Sequence, residues 1–230
     1  MTATIDTPPA PSIAAAWVKN NVLAAAVSVA ASLVIYGVRH GTGVADGSAG
    51  FAAVAILFAV TIVLSAFAGI AYGVLTGAVL QRIVPLLPVK SWIALNAAMA
   101  VVAAVLSEIL LILLPGAPSD DDASLGETLL VGLIMGGILG AAIGGLQAVV
   151  LRKAALGVSA WVAWSAVGFA VALLLVAGGG KLWETGGGFA GELATQTVAF
   201  LAYVIISVMM LPALRRLRDP LLSAAGPHFS

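Results

Sequence analysis

Six long apolar stretches, separated by short polar breaks, dominate this chain. They cover residues 17–38, 51–80, 91–114, 127–151, 158–177 and 188–214. A helix needs about 20 mostly apolar residues to cross a bilayer, and each stretch is about that long. Because lipid offers the backbone no hydrogen-bond partners, a crossing segment must satisfy its own peptide groups, as a helix does. The sequence therefore predicts an all-α integral membrane protein with six transmembrane helices.

The composition supports a membrane environment. Charged residues make up 9% of the chain and hydrophobic residues 62%, whereas soluble domains carry about 25% charged residues. The ten basic and ten acidic side chains cancel, so we expect no binding of nucleic acid. The chain has no cysteine, which excludes disulfides, thiol nucleophiles and cysteine-ligated metals.

The breaks between the apolar stretches are too short to form a soluble domain. We therefore predict one transmembrane domain over residues 17–214, a disordered cytoplasmic arm over 1–16 and a cytoplasmic tail over 215–230. The arm has no basic residue before the first apolar run, so it does not resemble a cleaved signal peptide.

The placement of Lys and Arg predicts the orientation, because basic residues concentrate in cytoplasmic loops. If the N-terminus is cytoplasmic, eight basic residues fall on the cytoplasmic side: Lys19, Arg82, Lys90, Arg152, Lys153, Arg215, Arg216 and Arg218. Arg39, Lys181 and the acidic run 120–122 fall outside. We expect a multi-pass protein of a bacterial-type inner (plasma) membrane with both termini in the cytoplasm.

Glycines recur every fourth residue on two of the even-numbered spans. The second span carries Gly69, Gly73 and Gly77, and the fourth carries Gly132, Gly136, Gly140 and Gly144. This spacing lays them along one side of a helix, and small-residue faces let membrane helices approach closely. The pattern predicts packing through Gly/Ala seams, either inside the monomer or against another protein.

The spans also repeat in pairs. Each odd span opens with a tryptophan that is followed four residues later by a small polar residue: Trp17 and Asn21, Trp92 and Asn96, Trp161 and Ser165. The second, fourth and sixth spans each end at basic residues. Together these matches predict three helical hairpins repeated in parallel.

Two acidic residues within or near the spans are candidates for function. Glu108 lies about two turns from the outer end of the third span, where a carboxylate is costly. Glu192 lies near the outer end of the sixth span, with Gln196 one turn deeper on the same face. Either these side chains line a polar cavity that is open to the outside and binds a cation or proton, or each reaches the headgroups or bonds to a neighbouring helix.

Two glutamines are further candidates. Gln81 and Gln147 lie at equivalent ends of the second and fourth spans, at a depth similar to Asn21, Asn96 and Ser165. These side chains form either a polar ring near the inner face or ordinary hydrogen bonds between helices.

Several residue types are missing from the spans. His40 and His228 both lie outside them, which argues against membrane-bound haem or metal, since imidazole is the usual ligand. No nucleophile–base pair can be assembled from the span residues, so we expect no enzyme activity, no cofactor and no metal. The triple glycines 178–180 and 186–188 are expected to form a flexible loop.

Two functional classes fit these observations. The first is a non-catalytic accessory or assembly subunit that contacts other membrane proteins, indicated by the small-residue faces and by the absence of mid-span proline. The second is a small-solute transporter, or its substrate-binding subunit, with a polar site near Glu108 and Glu192. In size, helix count and Gly/Ala richness the chain is similar to the substrate-binding subunits of energy-coupling-factor vitamin transporters. This resemblance assigns no site residue. A polar cavity containing either glutamate would favour the second class.

Overall fold

The computed structural model describes residues 12–45, 47–113, 124–183 and 189–217. Seven helices form within these ranges: α1 (Ile13–Gly41), α2 (Phe51–Leu80), α3 (Val89–Leu113), α4 (Leu125–Leu151), α5 (Val158–Trp183), α6 (Phe189–Met209) and α7 (Leu211–Arg216). Six helical segments, one of which joins α6 and α7, are long and apolar enough to cross a membrane. The prediction of an all-helical, six-span protein is confirmed at this level.

The first helix begins before the first predicted span. Ser12 caps α1, because its Oγ accepts a hydrogen bond from the Ala15 backbone N–H at 3.2 Å. Ala16 and Trp17 are already buried in the first turns. Residues 13–16, which we predicted within a disordered arm, are therefore helical, whereas residues 1–11 lie outside the described part.

The fifth helix continues past its predicted end at residue 177. It passes through Gly178 and Gly179 and ends at Trp183, so the expected loop over 178–180 is wrong. A Cβ on Gly179 would lie 3.1 Å from a methyl carbon of Val198 in α6, and one on Gly178 would lie 3.1 Å from Leu129 in α4. These close neighbours favour glycine inside the helix and outweigh its low helix propensity. The second triple glycine lies outside the described residues.

The last predicted span is divided near its end. The chain turns at Met210, and α7 starts at Leu211 with Pro212 in its first turn. Proline is tolerated there because the first N–H groups of a helix have no partner within the helix.

The helices lie side by side in a closed ring. Each contacts its neighbour in sequence, and α1 also contacts α6. Among neighbouring spans, the α4–α5 and α2–α3 pairs pack most extensively, and the α3–α4 pair packs least. Consecutive spans run in opposite directions, so α1, α3 and α5 start at the same end of the ring.

The two glycine-rich faces point at neighbouring helices of the same chain. A Cβ on Gly69 would lie 2.6 Å from Ala97 Cα in α3, and one on Gly136 would lie 2.7 Å from Ala170 Cα in α5. At Gly140 an added Cβ would collide with the backbone carbonyl of Ser165. No larger side chain fits at these positions without movement of the backbone.

Most of the large buried side chains lie at one end of the ring. Trp17, Trp92 and Trp161 are at most 1% exposed, and aliphatic residues from the ends of α2, α4 and α7 surround them. We call this the tryptophan end and the opposite one the cavity end. The bundle is therefore solid at the tryptophan end and hollow toward the other.

Candidate functional site

A cavity of about 430 Å³ lies between α1, α2, α3 and α6, toward the cavity end. Its polar lining, among the residues described, consists of Ser28, Ser32, Tyr36, Arg39, Thr61, Ser65, Ser107, Glu108, Glu192, Gln196 and Tyr203. Alanines of α1, α2 and α3 supply much of the remaining wall. Small side chains leave the space open, and the polar ones project into it from four different helices.

An ion pair crosses the cavity between α1 and α3. Arg39 Nη2 lies 2.6 Å from Glu108 Oε1, and the two side chains are 25% and 5% exposed. A carboxylate this deeply buried is expensive unless a cation compensates it. Arg39 lies in the last turn of α1, which places its long side chain within reach of the α3 carboxylate.

Two buried polar atoms of the lining have no hydrogen-bond partner among the described residues. They are Glu108 Oε2 and Thr61 Oγ1, on residues that are 4% and 0% exposed. Buried polar groups are nearly always hydrogen-bonded in native proteins, so an exception requires an explanation. Among the described residues a third such atom, Thr128 Oγ1, lies outside the lining, but two of the three occur on residues of this one cavity, as expected where a polar ligand binds.

A second carboxylate approaches from α6. Gln196 Nε2 donates to Glu192 Oε1 at 2.7 Å, one turn along the same helix. Both side chains are half-buried. Unlike Glu108, Glu192 has a neutral partner, so its charge is not compensated by this contact.

Sequence reasoning missed most of the lining. The sequence feature that could have identified part of it is a four-residue spacing of hydroxyl residues within apolar helices: Ser28 with Ser32 in α1, and Thr61 with Ser65 in α2. This spacing places each pair on one helical face. Arg39 was assigned to an outer loop, and its ion pair depends on how α1 and α3 are arranged in the ring.

An aromatic cluster lies at the tryptophan end, below the cavity, and together with the hydrogen bonds of Gln147 we call it the floor, although none of its residues lines the cavity. Trp161 makes edge-to-face contacts with Trp17 and Trp92, with ring centroids 5.8 and 5.9 Å apart and interplanar angles of 80° and 78°. Such pairs contribute about 0.5–1.5 kcal/mol each beyond simple burial. The cluster fixes α1, α3 and α5 to one another.

Each indole N–H of the cluster has a partner on a neighbouring even helix. Trp17 donates to the Ser207 carbonyl at 2.9 Å and Trp92 donates to Thr76 Oγ1 at 3.0 Å. Trp161 donates to Gln147 Oε1 at 3.0 Å. These hydrogen bonds connect α1 to α6, α3 to α2 and α5 to α4.

Gln147 extends this network across the weakest neighbour contact of the ring. Its Nε2 donates to Asn96 Oδ1 at 2.9 Å, while its Oε1 accepts from Trp161. One side chain therefore connects α3, α4 and α5. Asn21 instead donates to the Trp17 carbonyl of its own helix, and Ser165 donates to Met210 Sδ at 3.6 Å.

The predicted polar residues thus separate into three places. Glu108, Glu192 and Gln196 meet in the cavity. Gln147 lies in the floor below it, and Gln81 is exposed at the C-cap of α2. Gln81 and Gln147 do not form the equivalent pair that their positions in the sequence suggested, because α2 uses Thr76 where α4 uses Gln147.

Over the described residues, the fold defines a polytopic, helical membrane protein with a polar cavity between four of its helices. The chain matches no protein-family model, no curated protein sequence and no solved structure. Its function is therefore inferred from the geometry of the cavity.

Proposed function

We propose that this protein binds a small polar solute in the cavity around Glu108 and acts as a solute transporter or as the substrate-binding subunit of one. The observation that carries the proposal is the coincidence of a 430 Å³ cavity with two buried, unpartnered polar atoms in its lining. Binding pockets for small molecules range over about 300–1,000 Å³ and contain a few placed polar groups in an apolar wall. The cavity falls within this range of volume, and its lining is richer in polar side chains than that of most such pockets.

The proposed direction of uptake follows from the charge distribution. Arg82, Lys90, Arg152, Lys153 and Arg215 belong to the tryptophan end of their helices or to its connections, whereas Arg39 belongs to the cavity end. Basic residues favour the cytoplasmic side. We infer that the cavity opens away from the cytoplasm and collects its solute there.

Because the tryptophan end is tightly packed, a transport cycle would require a conformational change there. The tryptophan cluster and the Gln147 network close the cytoplasmic end in this conformation. Release to the cytoplasm needs a rearrangement at that end, either within this chain or driven by a partner subunit. We propose that the thinly packed α3–α4 boundary is where the ring opens, since Gln147 to Asn96 is its hydrogen bond at the floor.

Solute binding can be tested with a panel of candidate ligands. Purified protein is mixed with a defined set of amines, amino acids, sugars and small carboxylates and then studied by native mass spectrometry. We expect one bound small molecule per chain for the wild type and its loss in Glu108→Gln. A folded Glu108→Gln protein that still binds the same molecule would contradict the proposal.

Glu127→Gln is the matched control. Glu127 is an exposed carboxylate at the cavity end of α4, and it forms a capping box with Ser124. Glutamine also completes a capping box, so this variant removes a carboxylate outside the cavity and preserves the helix start. Ligand binding should equal that of the wild type.

Flux is tested in proteoliposomes that contain only this chain. Uptake of the bound solute by the wild type, and its loss in Glu108→Gln, would identify a complete transporter. Binding without uptake would identify a binding subunit that depends on a partner.

The accessory-subunit interpretation of the sequence stays a prediction. Its main support was the pair of glycine-rich faces, and these faces lie against α3 and α5 of the same chain. An accessory role would now depend on the apolar, lipid-facing side chains of the ring. Purification in mild detergent with a stoichiometric partner, and without any solute bound, would favour it.

We also propose that the chain consists of three related hairpins. The pattern of indole hydrogen bonds supports this relationship, because each odd helix donates from an equivalent tryptophan to an even helix. The small polar residue one turn further on is Asn in the first two hairpins, where it donates to the carbonyl of its tryptophan, and Ser in the third.

A further inference from the structure

The charges that line the cavity are unbalanced. Among the residues described, the lining holds one basic side chain, Arg39, and two carboxylates, Glu108 and Glu192. Arg39 is bound to Glu108, and Glu192 accepts from the neutral amide of Gln196. With both carboxylates ionised, the lining carries one net negative charge in surroundings of low polarity, where uncompensated charge is costly.

The unpartnered oxygen atoms in the cavity lining favour a ligand that donates hydrogen bonds. Glu108 Oε2 has no partner in the described part of the chain, and an ionised carboxylate oxygen can only accept. A positively charged N–H group makes the strongest hydrogen bond to such an oxygen. Thr61 Oγ1, which is also unpartnered and belongs to the same lining, can likewise accept an N–H.

Aromatic rings in the lining favour the same kind of ligand. Tyr36 and Tyr203 both line the cavity. The face of a phenol ring attracts a cation that lies within about 6 Å of its centre. The same negative face disfavours an anion.

A bare metal ion does not fit these observations. The cavity volume of about 430 Å³ suits an organic molecule, and a bound ion would need several oxygens within about 2.6 Å. Within the described ranges, no three His, Cys, Asp or Glu side chains gather closely enough to hold a metal.

We propose that the cavity selects a small organic monocation with N–H donors, an ammonium or a guanidinium, whose charged group binds Glu108 Oε2 and lies near Glu192. This inference rests on the proposed solute-binding function and names its substrate class. Arg39 occupies Glu108 Oε1 and leaves Oε2 for the ligand. One added positive charge brings the lining to neutrality, whereas a zwitterion leaves the imbalance and an anion increases it.

The test compares four probes of similar size: n-butylammonium, butyramide, butyrate and 4-aminobutyrate. Binding to the full-length protein in lipid nanodiscs is measured by calorimetry. We expect n-butylammonium to bind at least about tenfold more tightly than butyramide, since a hydrogen bond to a charged group exceeds a neutral one by that margin. Butyrate should show no measurable binding.

Variants that remove one or both carboxylates test whether the charge of the lining determines which probe binds. Glu192→Gln should weaken n-butylammonium binding at least about tenfold, while Glu127→Gln should leave it unchanged. Combining Glu108→Gln with Glu192→Gln leaves Arg39 as the charge of the lining, so preference should invert toward butyrate. If the double variant does not fold, Glu192→Gln alone decides, because Glu192 is half-buried and its described partner is neutral.

The outcomes separate this inference from the proposed function. Tighter binding of butyrate or 4-aminobutyrate than of n-butylammonium would overturn the monocation assignment and leave solute binding intact. Tetramethylammonium, which has the charge without N–H groups, should bind more weakly than n-butylammonium, and equal binding would overturn the role given to Glu108 Oε2. Failure of every probe, together with no small molecule in native mass spectrometry, would overturn both.

Discussion

Arg39 and Glu108 are 69 residues apart in the chain, yet Arg39 Nη2 and Glu108 Oε1 lie 2.6 Å apart across the cavity. The pair connects the end of α1 to the half of α3 that lies toward the cavity end. Removing the cation leaves a buried carboxylate uncompensated, whereas removing the carboxylate leaves a partly exposed cation that water can reach. The two single substitutions should therefore differ in their cost.

We expect Arg39→Gln to lower the free energy of unfolding by roughly 1–3 kcal/mol, less than for a fully buried pair because solvent screens the guanidinium. Glu108→Gln should cost less, and the double variant should cost less than the sum of the two. Reversible unfolding in mixed micelles measures all three. Strict additivity of the two single effects would show that the ion pair contributes no coupling.

Thr61→Val tests whether the unpartnered hydroxyl is kept for ligand binding. The change removes a buried polar atom that has no described partner and preserves the side-chain shape, so the ligand-free protein should gain about 1 kcal/mol in stability. Solute affinity should fall at the same time. The measurements are thermal unfolding without ligand and calorimetric binding.

Thr76→Val is the matched control in the same helix. Thr76 is equally buried, but its Oγ1 accepts from Trp92 and donates to the Tyr72 carbonyl. Its loss should destabilise the protein by about 1–3 kcal/mol, since Trp92 Nε1 loses its acceptor. A Thr61→Val protein that is destabilised as much as Thr76→Val would refute the distinction.

Gly140→Leu should prevent α4 and α5 from packing. A Cβ at this position already collides with the Ser165 carbonyl, and overpacking of a buried site costs typically about 1–3 kcal/mol or more. We expect loss of the monodisperse particle in size-exclusion chromatography. Gly145→Leu is the control on the same helix, because a Cβ there meets nothing within 4 Å. Equal stability of the two variants would argue against a packing role for the glycine face.

Gln147→Leu should weaken the floor of the cavity. It leaves Trp161 Nε1 and Asn96 Oδ1 without the partners seen here, at a cost of about 1–3 kcal/mol for each buried orphan group. Gln81→Leu alters an exposed glutamine and should change stability by less than about 0.5 kcal/mol. Unfolding is followed by tryptophan fluorescence, to which the cluster contributes three of the five tryptophans of the chain, and similar midpoints for both variants would contradict the network's role.

The proposed orientation can be tested with single cysteines, since the natural chain has none. Gly50→Cys places a thiol in the connection before α2 at the cavity end, and Leu86→Cys places one in the exposed α2–α3 connection at the tryptophan end. A membrane-impermeant maleimide applied to intact cells should label the first and not the second. The reverse pattern would turn the cavity toward the cytoplasm.

The candidate site was only partly predictable. Glu108 and Glu192 stood out because a carboxylate in an apolar span is costly. Gln81 and Gln147 had the same residue type at the same predicted depth, yet one is exposed and the other buried in the floor. Spacing along a helix tells which residues share a face, but it does not tell which face meets the inside of a ring.

What the sequence determined by itself was the solvent, the number of spans and the alternation of their direction, because these depend on the hydropathy and length of each segment alone. Tertiary structure decided that Arg39 reaches Glu108, that hydroxyls from four helices share one cavity, and that the tryptophans pack together below it. Those contacts exist because the ring brings α1 against α6 and places α1, α2 and α3 around one space. Such distant neighbours depend on how all six helices pack together, and the pattern of any one helix does not specify them.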